Sequence, residues 1–305
     1  MTPIAVLGSL NADLVIQMEQ FPRPGETVIA QSFAQYSGGK GANQAVACGR
    51  LHAAVSMYGA LGRDSFSSKL LQSLQESSVG TGDLLFCDDA STGMAHIWVD
   101  AGGENAIAIV PGANAHVAPS YIDAVLPKLR EASWLLLQLE VPLATLGYLL
   151  RQLPADKPRV ILDPAPAQPL DQLFTQRVWL ITPNEHELHA LTGLATATPA
   201  EINYACGKLR LETGVHAVLC KAGSRGAFLD DGLCFKNFPG HIVRSVDTTA
   251  AGDAFNGALA VALSEGRSLE EAIYLANAAG ALCVMKPGAQ QSLPWRDDLE
   301  AFIHH

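Results

Sequence analysis

The sequence predicts an α/β protein: three layers, α/β/α, around a mostly parallel central sheet, with a small β-sheet lid. Three observations carry this. Short apolar runs bounded by Gly or Pro alternate with longer segments of helical period, the pattern of parallel strands covered on both faces. Two stretches, at about 12–37 and 91–110, break that rhythm and read as extended, with no helix between their strands. The chain is 305 residues long, 49% hydrophobic and only 16% charged, which is too apolar and too weakly charged for disorder. No low-complexity linker or internal repeat divides it, so residues 1–305 are expected to form one domain carrying the lid.

Taken in order, Ile4 to Gly8 is a short apolar run closed by glycine and reads as the first strand. Alternation in Asp13-Leu-Val-Ile-Gln-Met18 begins the first lid segment. A glycine-rich turn then leads into a helix at Ala42 to Leu51, a strand at Val55 to Ala60 and a helix at Ser65 to Glu76. The second lid segment alternates again at His96-Ile-Trp-Val99, and the two segments are expected to make a small antiparallel sheet. Helices are expected at Pro119 to Arg130, Pro142 to Leu150 and Pro199 to Glu212, each opened by a proline that misses no hydrogen bond in the first turn. The strands Trp134 to Leu139, Val160 to Asp163, Val178 to Thr182 and Ala217 to Lys221 complete the sheet. The last third returns to helix at Ala250 to Glu265, Ser268 to Met285 and Trp295 to Ile303.

Charge excludes some partners. Twenty Lys and Arg against thirty Asp and Glu give a net charge of −10, which argues against a broad basic face for nucleic acid. A small anion remains accessible, because backbone amides hold phosphates without net positive charge. No apolar run approaches the roughly 18 to 20 residues that span a bilayer, and the opening residues lack the basic stretch of a signal peptide. Six dispersed cysteines with no CxxC pair read as reduced thiols of a cytoplasmic protein.

Five motifs could carry chemistry. Ser37-Gly-Gly-Lys-Gly-Ala-Asn-Gln-Ala45 is neither a Walker A loop, since Gly41 follows Lys40, nor a dinucleotide fingerprint, since Gln44 stands at its last required position. It remains a turn feeding a helix N-terminus, with Lys40 and Asn43 as donors to a polar ligand, or else an ordinary strand-to-helix turn. In Val246-Asp-Thr-Thr-Ala-Ala-Gly-Asp253, the amides of Ala250, Ala251 and Gly252 could converge on a phosphoryl group. Asp253 beside them is either a proton acceptor for an attacking hydroxyl, kept ionised by the helix dipole, or an N-cap. Asn184 and Glu187, three apart, could order water around a phosphate-bound metal, and the same spacing marks a capping box. His186 and His189 lack the further ligands of a zinc site. Cys220-Lys-Ala-Gly-Ser-Arg-Gly226 offers a backbone turn to a nucleotide, and Asn11 and Asp13 project to one side of a strand as a clamp for sugar hydroxyls.

In this order, over essentially the whole chain, these motifs resemble the ribokinase family of sugar and nucleoside kinases. The wording of Gly38-Gly-Lys-Gly-Ala-Asn-Gln-Ala45, Asp163-Pro-Ala-Pro-Ala167, Thr182-Pro-Asn-Glu185 and Asp253-Ala-Phe-Asn-Gly257 is nearest to its ribose-specific branch. The resemblance implies transfer of the γ-phosphoryl group of ATP to the 5-hydroxyl of D-ribose. It implies ribose contacts at Asn11, Asp13, Gly39, Lys40, Gly41, Asn43 and Glu140. Asp253 would be the base and Ala250, Ala251 and Gly252 the anion hole. Asn184, Lys221, Gly223, Ser224, Gly226 and Asn277 would surround ATP, with Glu187 organising Mg²⁺ through water. A monovalent cation, K⁺, would fall to Asp247, Thr249, Cys283, Lys286, Gly288 and Ser292, several through backbone oxygens. The family also implies a homodimer that pairs through its lids.

Three positions depart from the family pattern. Lys221 stands where threonine is usual and Asn277 where histidine is frequent, both on the nucleotide side, and Ser37 separates Tyr36 from the two glycines. A kinase for deoxyribose, another sugar or a nucleoside, and a sugar-binding regulator without turnover, are the rival readings.

Overall fold

The computed structural model describes residues 2–170 and 175–304; Met1, residues 171–174 and His305 of the expected domain lie outside the described residues. The main sheet has eight strands. Six are parallel: β1 (Ile4–Leu7), β4 (Val55–Tyr58), β9 (Trp134–Gln138), β10 (Arg159–Asp163), β11 (Val178–Ile181) and β12 (Ala217–Lys221). Two antiparallel strands, β13 (Ala227–Asp230) and β14 (Phe235–Phe238), extend one edge, giving the order β14-β13-β12-β11-β10-β9-β1-β4. Sequence reading missed this hairpin: β13 is four residues long and buried throughout, so it shows no alternation, and the exposed Lys236 and Asn237 of β14 read as loop.

Alternate strand residues feed two apolar layers. Ile4, Val6, Leu136, Ile161, Leu180 and Leu219 pack toward α1 (Lys40–Arg50), α2 (Ser65–Glu76), α7 (Ala251–Ser264), α8 (Leu269–Cys283) and α9 (Arg296–Ile303). Ala5, Leu7, Leu135, Leu137, Leu162 and Val218 face α3 (Pro119–Glu131), α4 (Leu143–Gln152), α5 (Glu185–Thr192) and α6 (Pro199–Thr213). The three-layer α/β/α arrangement follows from this two-faced burial. Among the described residues no helix is long and apolar enough to cross a membrane.

The second sheet has the order β3-β2-β7-β8, from β2 (Asn11–Gln17), β3 (Ser32–Gly38), β7 (Gly93–Val99) and β8 (Asn105–Val110). It is mixed rather than antiparallel. Each segment is a hairpin whose first strand leaves the body and whose second returns, and the two outgoing strands lie side by side, so β2 and β7 pair in parallel. A further correction concerns Val55 to Ala60, which divides at Gly59. There a Cβ would come within 2.5 Å of the Gly8 carbonyl oxygen, and the chain turns to form β5 (Ala60–Gly62), paired with β6 (Leu85–Cys87) apart from the main sheet. The helix expected from Ser268 to Met285 has Ser268 as its N-cap and ends at Cys283.

Candidate active site

The site is assembled where α1 presses on the C-terminal end of β1. Gly39, the N-cap of α1, has φ of 87°, and a Cβ there would stand 2.7 Å from the Asn11 nitrogen. Only glycine combines that backbone conformation with that approach. At Gly41 a Cβ would fall 2.7 Å from the Gly8 carbonyl carbon, so the first turn of the helix lies directly against the strand. This contact carries Lys40, Asn43 and Gln44 into the centre of the molecule.

One half of the site holds the residues read as sugar contacts. Asn11 and Asp13 leave the same face of β2, and Asn11 is fixed by the Asn114 side-chain amide, which donates to its Oδ1 at 2.7 Å. Glu140, just beyond β9, accepts hydrogen bonds from the Lys40 backbone amide at 3.1 Å and from the Ser9 hydroxyl. Burial pushes Asp13 up to about 7, with the charges of Glu140 and Asp253 acting in the same direction and Lys40 opposing them. Burial also works against the charge on Lys40, but Asp253, Asp163 and Glu140 hold its ammonium above the usual lysine range. Among the described residues, Asn43 Oδ1 is buried without a partner, an acceptor waiting for a donor.

At the start of α7, Ala250 is the N-cap in the left-handed conformation, φ 60°, and makes no side-chain cap bond. Asp253 lies in the first turn and its carboxylate does not cap the helix. It accepts instead from Asn43 Nδ2 at 2.9 Å and Gln44 Nε2 at 3.0 Å, which removes the N-cap alternative. Burial raises Asp253 to about 6; Lys40 lowers it, Asp163 raises it, and the two amide donors favour its charged form. It is therefore predominantly ionised at neutral pH and still close enough to neutrality to act as a proton acceptor. The Ala251 amide of the expected anion hole is engaged at 3.3 Å by the Thr248 carbonyl.

The other half is a cavity of about 530 Å³ that meets the first at Lys40 and Asp253. Asn184, Lys221, Gly223, Ser224, Gly226, Asn277 and Glu187 all line it, with Ala250, Ala251 and Gly252 at one wall. Asn184 and Glu187 do form a capping box: Asn184 Oδ1 accepts from the Glu187 amide at 2.8 Å and Glu187 Oε2 from the Asn184 amide at 2.7 Å. The cap and the metal-ordering reading are compatible, because the box fixes both side chains and leaves Glu187 Oε1 unengaged among the described residues. Lys221 does not reach outward to a base. It forms an ion pair with Asp163 at 2.8 Å. Asn277 Nδ2 donates to the Phe238 and Pro239 carbonyls at 3.1 and 3.2 Å, so its amide nitrogen braces the cavity wall.

Beside α7, the two expected cation loops come together. Asp247 accepts from the Thr249 amide at 2.9 Å and the Gly288 amide at 2.8 Å; partial burial opposes its charge, and these amides hold its carboxyl below the usual range. Cys283 Sγ lies 3.5 Å from the Thr249 carbonyl oxygen and 3.0 Å from Ser292 Oγ. The Lys286 ammonium is directed away, to Asp298 at 3.5 Å.

Sequence reading gave no role to Gln44, Asp163 and Gln138, which knit the two halves, or to Asn114, which fixes Asn11. Gln44 Nε2 donates to both Asp163 Oδ2 and Asp253 Oδ1 at 3.0 Å, while its own carbonyl accepts from Gln138 Nε2 at 2.7 Å. Gln44 and Asp163 stood inside motifs already singled out, but their pairing across 119 residues has no local signature. Asn114 and Gln138 had none either. Gly240, His241, Val243 and Ser245, to which sequence reading assigned nothing, also line the cavity.

Two carboxylates and a lysine in a polar half-site, a helix N-terminus at the junction and a cavity beyond define a small-molecule phosphotransferase. Comparison with known proteins agrees: residues 1–296 match the family described as pfkB family carbohydrate kinase, and the chain belongs to that family. Ribokinase of Bacillus subtilis is 38% identical over 99% of this chain and 100% of its own length. The crystal structure of a Thermotoga maritima ribokinase superposes with a TM-score of 0.91 at 39% identity, covering 100% of both chains. The structure of Arabidopsis thaliana ribokinase complexed with ribose and ATP superposes with a TM-score of 0.94 at 34% identity, covering 100% of this chain and 99% of that one.

Proposed function

We propose that the protein transfers the γ-phosphoryl group of ATP to the 5-hydroxyl of D-ribose, giving ribose 5-phosphate and ADP. The observation that carries this is Asp253: a buried carboxylate in the first turn of α7, held by Asn43 and Gln44, where the polar half-site meets the cavity. Asn11, Asp13, Gly39, Lys40, Gly41, Asn43 and Glu140 bind the sugar; a B. subtilis ribokinase matched over its full length supports ribose as the substrate. Asp253 takes the proton from the attacking hydroxyl, and Lys40 and the amides of Ala250 and Gly252 meet the charge that gathers on the phosphoryl oxygens, with Ala251 joining them only if its long 3.3 Å bond to the Thr248 carbonyl opens. Asn184, Lys221, Gly223, Ser224, Gly226 and Asn277 hold the nucleotide.

Mg²⁺ holds several of its own waters and would arrive on the phosphates of ATP. Glu187 would order those waters, and the ion would neutralise the phosphates. For K⁺, the oxygen-rich loops of Asp247 and Thr249 and of Cys283, Lys286, Gly288 and Ser292 are the donor chemistry, with no ammonium between them. The ion would steady the amides of α7 next to them.

The four-stranded sheet acts as the lid over the sugar. On its face shared with Asp13, Ile107 and Ile109 remain 55% and 50% exposed, which supports lid-to-lid pairing in a homodimer. The described cysteines are all unpaired, which fits a reducing cytoplasm. The test is ADP release with D-ribose, 2-deoxyribose, other pentoses and nucleosides, in K⁺ and in Na⁺. Ribose in K⁺ should be fastest. Equal use of ribose and 2-deoxyribose would move the assignment to a deoxyribokinase, and no turnover with any sugar would favour a regulator.

A further inference from the structure

Lys221 lies at the C-terminal end of β12 with its side chain 11% exposed, and its ammonium is turned toward the first turn of α7. A Cβ built on Gly252 would stand 3.3 Å from Lys221 Nζ. This is an awkward place for a cation, because the N-terminus of a helix carries positive potential of its own. Asp163 offsets that conflict from one side, taking the ammonium on Oδ1 at 2.8 Å while its Oδ2 is bound by Gln44. Among the described residues the ammonium has no second partner, so two of its three protons are left toward the cavity. Ammonium and helix amides therefore converge on one volume beside Gly252 and Asp253, and an anion placed between them would turn their mutual repulsion into attraction for both.

We propose that Lys221 Nζ contacts the terminal phosphoryl group of the nucleotide, so that this side chain distinguishes a nucleoside triphosphate from a diphosphate. The proposal rests on the ATP reading of the cavity and specifies which part of the nucleotide the lysine touches. Asp163 has a supporting part: it holds the ammonium in place before the phosphate arrives and shares it afterwards. A neutral hydroxyl at this position could offer a hydrogen bond but no charge. Charge-assisted contacts to phosphate are roughly twice as strong as neutral ones.

The test is calorimetric binding, with Mg²⁺ and without sugar, of ADP and of the non-hydrolysable β,γ-imido analogue of ATP. Lys221→Met should weaken the analogue about tenfold more than ADP, the size of one charge-assisted hydrogen bond, and Lys221→Arg should keep most of the discrimination. Because Lys221→Met strands the Asp163 carboxylate, the double variant Lys221→Met/Asp163→Asn provides a folded counterpart without an unpaired buried charge. The same differential loss is expected there. An equal loss for both nucleotides in the double variant, or none, would overturn the proposal by placing Lys221 elsewhere on the nucleotide or in a packing role. Failure of the parent protein to bind either nucleotide would instead overturn the ATP reading beneath it.

Discussion

Burial works against the charge of both half-buried Asp13 and fully buried Asp253, and a different set of neighbours surrounds each. Asp253, raised to about 6, is protonated more readily than an ordinary carboxyl, so the active basic form is lost as pH falls through that value. The kcat/KM for ribose should therefore fall below about pH 6 to 7, Asp13 contributing to the upper end of the limb. Asp253→Asn should lower kcat by roughly 10² to 10⁴ and leave ATP affinity nearly unchanged, as expected of a general base. Turnover within a few fold of the parent, or a pH profile flat from 5 to 8, would assign the base elsewhere. Asp13 should act on the sugar alone. If it accepts from the 2-hydroxyl, Asp13→Ala costs ribose up to about a hundredfold in kcat/KM while 2-deoxyribose changes little. A parallel loss for both sugars would move Asp13 off that hydroxyl.

At the scale of elements, Asn184 and Glu187 form the capping box at the start of α5 and are also the residues proposed for the nucleotide and its Mg²⁺, and substitution can separate the two roles. Glutamine also completes a capping box, so Glu187→Gln should leave the melting temperature close to the parent value and lower the Mg²⁺-dependent rate about tenfold or more. Glu187→Ala should lower both, with a stability loss of about 0.5–2 kcal/mol. Equal activity of Glu187→Gln and parent would leave Glu187 only its cap. These elements also mark how far the sequence could be read. Gly38 to Gly41, Asn184 with Glu187 and Ala250 to Asp253 were legible because each is a local backbone device whose geometry needs particular residues at fixed spacing. The Lys221–Asp163–Gln44–Asp253 chain was not, since it joins the ends of β12 and β10 to two helices, and only the folded sheet brings them together. The hairpin of β13 and β14 was missed for a related reason: burial on both faces erases the alternation by which a strand is recognised.

For the whole molecule, the register of the lid decides which apolar side chains could meet a second copy. Asp13, Ala95 and Ile109 stand across from one another on one face, as do Val15, Ile97 and Ile107, so the exposed isoleucines continue the face that carries Asp13. Sedimentation should give a dimer, and Ile107→Asp with Ile109→Asp should give a folded monomer with a higher KM for ribose; a parent protein that sediments as a monomer at all concentrations would remove lid pairing. The order of strands supplies the rest: β1, β9, β10 and β12 bring their C-terminal ends to one edge, where α1 and α7 also begin, and the proposed transfer would take place at that convergence. The most direct measurement is the NMR spectrum of the products when the protein is incubated with D-ribose, ATP, Mg²⁺ and K⁺. The account predicts ADP and ribose phosphorylated on the 5-hydroxyl; unchanged ribose, or phosphate at any other position of the sugar, would contradict it.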